Sequence, residues 1–263
     1  LAYSDIGMAK PNFPTSAHAR VADAILGAFA TDGAVDTILI TNSCARGRAT
    51  PESDLDLVLL VKEGLPAQAV SGLEARWAAF LAHASAIPAF RRTGPFAQVH
   101  ADVITGVYTP TVWDDGGGPD AFELEIGNHI AHSAPLSRPG PHLIALRARW
   151  LPYYDKDLRA ARFAMVRAAC RYDLEHVPFF LRRNLPFQAF DRLYKAQQEF
   201  LQALFIAQGR YPLAYNKWIH EQVVDWLGRP DLYERLSGLL SLASSEGIST
   251  HARQLQALTE ELK

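Results

Sequence analysis

The apolar positions of this chain recur at helical spacing first, then fall into short β-branched runs, then return to helical spacing. Val21, Ile25, Leu26 and Phe29 stand three and four residues apart, behind Thr15 or Ser16 as a cap and ahead of an Asp32-Gly33 stop. Val35 to Thr41 is short and β-branched, which predicts a buried strand. Asn42 to Ser53 reads as a loop with Gly47 and Pro51, and Asp54 to Val61 as a second strand closed by Lys62-Glu63-Gly64. Pro66 to His83 predicts a helix with Val70, Leu73, Trp77, Phe80 and Leu81 on one face. Ala97 to Tyr108 predicts a third strand, and Ile87 to Arg92 is a candidate to pair beside it.

Beyond these elements the texture changes. Asp114 to Asp120 is a glycine-rich loop, and Ser133 to Pro141 carries three prolines and a glycine. From about Asp155 the pattern is helical to the end. Its clearest stripe is Phe190, Leu193, Tyr194, Gln197, Phe200, Leu201, Leu204 and Phe205, closed by Gly209. The expected fold is α+β. A mixed sheet with flanking helices fills 15–110, a connecting segment 111–150, and an α-helical bundle 151–263.

Composition narrows the class. With 263 residues, 49% hydrophobic and 21% charged, the chain has the make-up of a globular protein large enough for two domains. The 26 basic and 28 acidic side chains leave a net charge of −2, which argues against a long nucleic acid as partner and favours a small acceptor. Cys44 and Cys170 form no C-x-x-C pair, so a thiolate zinc site is not expected, and a reducing, cytoplasmic setting is the simpler reading. No apolar run reaches the roughly 18 residues of a membrane span, and no signal peptide is legible.

Candidate chemistry gathers on the strands. Side chains alternate faces along a strand, so Asp54 and Asp56 point together while Leu55 and Leu57 turn to the core. Two carboxylates side by side repel unless a cation lies between them, which makes the pair a natural hard-metal site. His100 and Asp102 share a face in the same way, and Asp102 can complete the cluster if the strands are neighbours. The preceding loop offers a triphosphate the hydroxyl of Ser43, the close backbone approach of Gly47, and the charges of Arg46 and Arg48.

The string Asn42-Ser43-Cys44-Ala45-Arg46-Gly47, followed by Ser53-Asp54-Leu55-Asp56, resembles the DNA polymerase β-like nucleotidyltransferase superfamily. That motif runs G-S-x-A-R-G and then S-D-x-D. The resemblance implies Asp54 and Asp56 as ligands of two Mg²⁺ ions, with Asp102 on the metal nearer the attacking hydroxyl and Ser43 on a triphosphate oxygen. It implies an NTP co-substrate, with ATP the commonest choice, and proton removal assisted by Asp102 or His100. Asn42 stands where the pattern has glycine, and asparagine is the residue that best follows glycine into a left-handed turn. The helical C-terminal half resembles small-molecule, antibiotic-modifying nucleotidyltransferases, in which a basic residue reaches the triphosphate; Lys217 and then Lys195 are the candidates. Two rivals stand beside this reading: transfer onto a protein or RNA, as in toxin–antitoxin pairs, and a degenerate nucleotide-binding member, which Asn42 favours.

Blander readings accompany several residues. Lys195 shares a helix flank with Asp191, Gln198 and Gln202, as on a solvated face, and Lys217 between aromatics reads equally as a snorkelling lysine. Glu123 and Glu125 share parity if their stretch is a strand, which would let them orient an acceptor, but they are expected to face water. His129, His132 and His142 lack zinc spacing. Arg171 and His176 resemble the R-x-x-x-x-H motif of HEPN ribonuclease domains, a spacing that chance supplies on many helices. Trp218, Trp226 and Tyr233 are candidates to bury surface in a homodimer.

Overall fold

The computed structural model describes residues 11–112, 117–241 and 245–262. The chain divides into two compact units. One takes the chain through Tyr108 together with Glu125–Pro152; the other takes Thr109–Leu124 and everything from Tyr153. The segment expected to connect two domains is therefore shared between them.

The first unit is built on a four-stranded sheet. Helix α1 (Ser16–Phe29) begins at Thr15, whose side chain accepts from the Ala17 and His18 N–H groups, and it buries Val21, Ala22, Ile25 and Phe29. Strand β1 (Val35–Ile40) is followed by a single helical turn, α2 (Asn42–Ala45), inside what reads as loop. Then come β2 (Leu55–Val61), α3 (Ala67–His83), α4 (Ala86–Arg91) and β3 (Val99–Ile104). After Glu125 the unit adds the end of α5 (Phe122–Ile126), a π-helical turn over Gly127–Ala131, the two-residue strand β4 (Ala134–Pro135) and α6 (Pro141–Trp150).

Sheet order is β3-β2-β1-β4, with β2 and β3 parallel and the other pairs antiparallel. The odd-numbered positions of β2 and β3 pack with α1, α3 and α4 into one core around Ile38, Ile40, Leu57, Leu59, Trp77 and Phe90. Two expectations are corrected here. The stretch 87–92 is helical, because Ile87 and Phe90 are buried at a three-residue step and Pro88 lies in the first turn, where no N–H is missed. The third strand stops at Ile104. Gly106 takes φ +72, and a Cβ there would come within 2.6 Å of Leu146 Cδ1, so the chain turns away under α6.

Helix α6 is anchored from β1. Asp36 accepts the backbone N–H groups of His142 and Leu143 at 3.0 and 3.1 Å, a carboxylate set on the orphan donors of a helix start. Gly140 makes that approach possible, since a Cβ there would collide with the Asp36 carboxylate.

The second unit is helical among its described residues. Helices α7 (Lys156–Arg182) and α8 (Pro186–Gln208) are joined by three residues and pack along one another. Asp155 caps the first, and Gly209 at φ +59 ends the second. A π-helical stretch (Glu221–Trp226), α9 (Pro230–Ser237), a 3-10 turn (Gly238–Ser241) and α10 (Ser245–Glu261) complete it. The α8 stripe is buried at Leu193, Phe200, Leu201, Leu204 and Phe205, while Phe190 and Tyr194 stay exposed.

Glu123 corrects another expectation. Instead of facing water it is fully buried on α5, held by the Arg162 guanidinium, by Gln202 Nε2 at 2.7 Å and by the Tyr154 hydroxyl at 2.8 Å. Arg162 also binds Asp120, and Gln202 donates to both acids. Among the described residues no helix is long and apolar enough to cross a membrane.

Candidate active site

The site grows from the end of β1. The Thr41 N–H still donates to the Asp56 carbonyl at 3.0 Å, continuing the β1–β2 ladder. The next residue, Asn42, turns left-handed at φ +52, the conformation that the glycine of the motif would take freely. The turn survives with asparagine, and the side chain has a partner: Asn42 Nδ2 donates to Asp56 Oδ2 at 2.9 Å. Ser43 and Cys44 follow in the helical turn, both buried, and the Arg48 N–H closes the loop on the Ser43 carbonyl at 2.9 Å. Gly47 takes φ +69 beside Asn12.

The loop then returns to Asp54. Ser53 Oγ accepts the Thr50 N–H at 2.9 Å, and the Ser53 carbonyl accepts His18 Nε2 at 3.0 Å. His18 also meets Thr15 Oγ1 through Nδ1 at 2.8 Å, so one buried imidazole joins the helix cap to the residue before Asp54. Nε2 donates to that carbonyl, and in the neutral ring Nδ1 then accepts the Thr15 hydroxyl proton. Burial lowers its pKa, partly offset by the Ser53 bond and the Asp54 charge.

Asp54 lies immediately before β2, and Asp56 is its second residue. Across the parallel pairing Asp56 faces His100, and Asp102 faces Val58. Asp56, His100 and Asp102 therefore share one face, with Asp102 diagonal to Asp56. Diagonal neighbours on adjacent strands stand about 7–8 Å apart, so these acids meet only by leaning together. Among the described residues no three His, Cys, Asp or Glu side chains are gathered closely enough to hold a metal ion. The donor set itself suits a hard divalent cation: carboxylates, one just before β2 and the next two residues on. Their field is felt nearby. Burial first, then the charges of Asp56 and Asp54, push the Cys44 thiol up to about 12.

Asp102 stands at the open edge of the sheet on β3, in the wall of a groove of about 580 Å³. Glu74 and Trp77 of α3 contribute from one side, Glu125 and His129 from the other. His129 Nε2 lies 3.9 Å from Asp102 Oδ2, its buried Nδ1 has no hydrogen-bond partner among the described residues, and burial lowers its pKa against the pull of Asp102. The groove is thus acidic, with an imidazole and an indole in its walls.

Other candidates sit elsewhere. Lys195 and Lys217 belong to the second unit. Lys195 pairs with Asp191 one helical turn away at 3.2 Å, and exposed Lys217 stands 5.6 Å from the ring centre of its neighbour Trp218. Arg171 is engaged by Glu260 through two hydrogen bonds, of 2.9 and 2.6 Å. His176 bonds the Tyr172 carbonyl within its own helix, so this pair makes no common site. His132 and His142 join no metal group among the described residues; His142 Nδ1 bonds the Val61 carbonyl. Asp114, Asp115 and Gly116 lie outside the described residues.

In the sequence His18 is passed over, and His129 is weighed only among histidines that lack zinc spacing. His18 continues the apolar stripe of α1 with Val21, Ala22 and Ile25, and that placement was its signal. His129 carried none, because its nearness to Asp102 depends on the fold of the chain after Glu125. In comparisons with known proteins, no family model, curated protein or solved structure matches this chain.

Proposed function

We propose that this chain is a nucleotidyltransferase of the DNA polymerase β-like kind, transferring a nucleotide, AMP from ATP as the first choice, to a hydroxyl of a small acceptor. The observation that carries this reading is the left-handed turn at Asn42, which joins β1 to the Ser43–Gly47 loop and leads back to Asp54 and Asp56 at the start of the neighbouring strand. In this reading Asp54, Asp56 and Asp102 hold Mg²⁺, which supplies charge neutralisation at the triphosphate and acidifies the acceptor hydroxyl. Ser43, Arg46 and Gly47 seat the triphosphate. The acceptor lies in the groove beside Asp102, and Asp102 or His100 takes its proton. The acceptor oxygen forms the new bond to the α-phosphorus as the bond to pyrophosphate breaks, a step that depends on alignment more than on covalent chemistry. Lys217 and Lys195 are the cations proposed to reach the triphosphate.

The test is direct. The full chain is given Mg²⁺ and each labelled NTP, with pyrophosphate release followed across a panel of hydroxyl acceptors. Binding of one NTP, lost in Asp54→Ala, with release in the presence of an acceptor is the expected result. Absence of binding to every NTP sinks the reading. One observation favours a second reading, a nucleotide-binding member that performs no transfer: the motif's glycine is replaced by an asparagine whose amide already occupies Asp56. NTP binding with no pyrophosphate release across a broad acceptor panel selects it.

A further inference from the structure

We infer that Asn42 is a positioning residue for Asp56, orienting that carboxylate for a divalent cation; the inference rests on the nucleotidyltransferase reading above. Glycine at this turn supplies only backbone freedom. Asparagine supplies the same left-handed conformation, φ +52, and adds a donor. Its Nδ2 meets Asp56 Oδ2 at 2.9 Å across fourteen residues of chain. The backbone doubles the link, because the residue before Asn42 donates its N–H to the carbonyl of Asp56 itself. Asp56 is thus gripped at carbonyl and carboxylate by two consecutive residues.

The consequence is electrostatic as well as geometric. Asp54 and Asp56 are like charges two residues apart, and an amide donor on Asp56 eases their repulsion while no cation is bound. One N–H occupies only one of the about four lone-pair positions of a carboxylate. Outer partners of this sort fix the rotamer of a ligand, and their loss typically weakens metal affinity about 10–100-fold. A purely conformational role for residue 42 makes the opposite prediction. Glycine relieves the left-handed backbone and should leave the cation untouched.

Asn42→Gly separates the two. Mn²⁺ alone is titrated into the full-length chain and free Mn²⁺ is read by electron paramagnetic resonance. The expected result is affinity weakened about tenfold or more with an unchanged urea midpoint. Equal or tighter Mn²⁺ binding by the glycine variant overturns the inference. The cycle with Asp56→Asn supplies a second measurement: action through Asp56 predicts that Asn42→Gly adds no further loss in that background, and additive losses overturn it. A wild-type chain that takes up no Mn²⁺ overturns this inference and the nucleotidyltransferase reading together. Wild-type uptake with an unaffected glycine variant removes the role of Asn42 alone.

Discussion

His18 donates from Nε2 to the Ser53 carbonyl at 3.0 Å, so the first helix holds the residue that delivers Asp54 to the sheet. The imidazole is fully buried, edge-on to Phe90 at 4.7 Å between ring centres. His18→Phe keeps the aromatic contact but leaves the carbonyl and the Thr15 hydroxyl without their partner. A loss of about 1–3 kcal/mol in urea unfolding is expected. The pH dependence has a definite sign. His18 has a folded pKa below its unfolded value of about 6.5, so its contribution is present above that pH and lost as pH falls through the folded value. His129 and His251 are lowered as well, so the slope due to His18 is the difference between wild type and His18→Phe over pH 7 to 5, a window set by that unfolded value. A wild-type slope retained in full by the variant contradicts this account.

Glu199 has the opposite sign. It is fully buried on α8, with Oε1 accepting the Gly118 N–H at 3.2 Å and Oε2 without a hydrogen-bond partner among the described residues. Burial first, and the nearby Asp173 second, raise its pKa to about 8. A raised carboxyl pKa means that the folded state holds the proton longer. Stability is complete below about 4.5, the unfolded value, and falls as pH rises towards about 8. Glu199→Gln keeps the shape and an acceptor and removes the ionisation. Unfolding titrations at several pH values should find that the variant gains on wild type as pH rises through this window, by a few kcal/mol at the upper end (order of magnitude). A difference independent of pH would place the charge of Glu199 outside the stability of this unit.

How much could be read beforehand varies with the range of the interactions. The cap at Thr15, the strands at Val35 and Leu55, the αL stop at Gly209 and the turn at Asn42 depend on neighbours within a few residues, and those were legible. The short apolar run at Ile87 was not, since a buried helical turn and a strand present the same few letters. Glu123 was read as solvent-facing because nothing beside it in sequence offers a partner; Arg162 and Gln202 stand 39 and 79 residues away. The groove beside Asp102 needs α3, the edge strand and the turn at His129 together, and no local pattern announces it. For His100 and Asp102 alternation gives the shared face, and the parallel register sets Asp102 diagonal to Asp56.

The Arg162 network gives the largest stability prediction. One guanidinium, 2% exposed, bridges Asp120 and Glu123, and Gln202 donates to both acids. Arg162→Met fits the volume but leaves two buried carboxylates without their cation, with the Gln202 amide, the Tyr154 hydroxyl and the Thr111 N–H as remaining donors. Removing one partner of a buried ion pair costs about 3–5 kcal/mol, and chemical denaturation should register a loss of that size in the second unit. Arg162→Lys should rescue little, because an ammonium lacks the fork that reaches both acids at once. Full rescue by lysine would mean that charge alone, without planar geometry, holds the network.

Asp102 separates binding from chemistry in the proposed reaction. Asp54 and Asp56 lie beside the Asn42 loop, whereas Asp102 lies diagonal to them and opens onto the groove with 77% of its side chain exposed. In the proposed reaction a residue so placed serves the acceptor side. Asp102→Asn should therefore lower turnover by about 10²–10⁴-fold, the range for loss of a group that assists proton transfer, while NTP affinity changes little. Asp54→Ala should lose the NTP itself. Binding measured by equilibrium dialysis beside turnover measured by pyrophosphate release distinguishes the two variants. If Asp102→Asn loses NTP binding as fully as Asp54→Ala, Asp102 belongs with the triphosphate, and the groove is not where the acceptor enters.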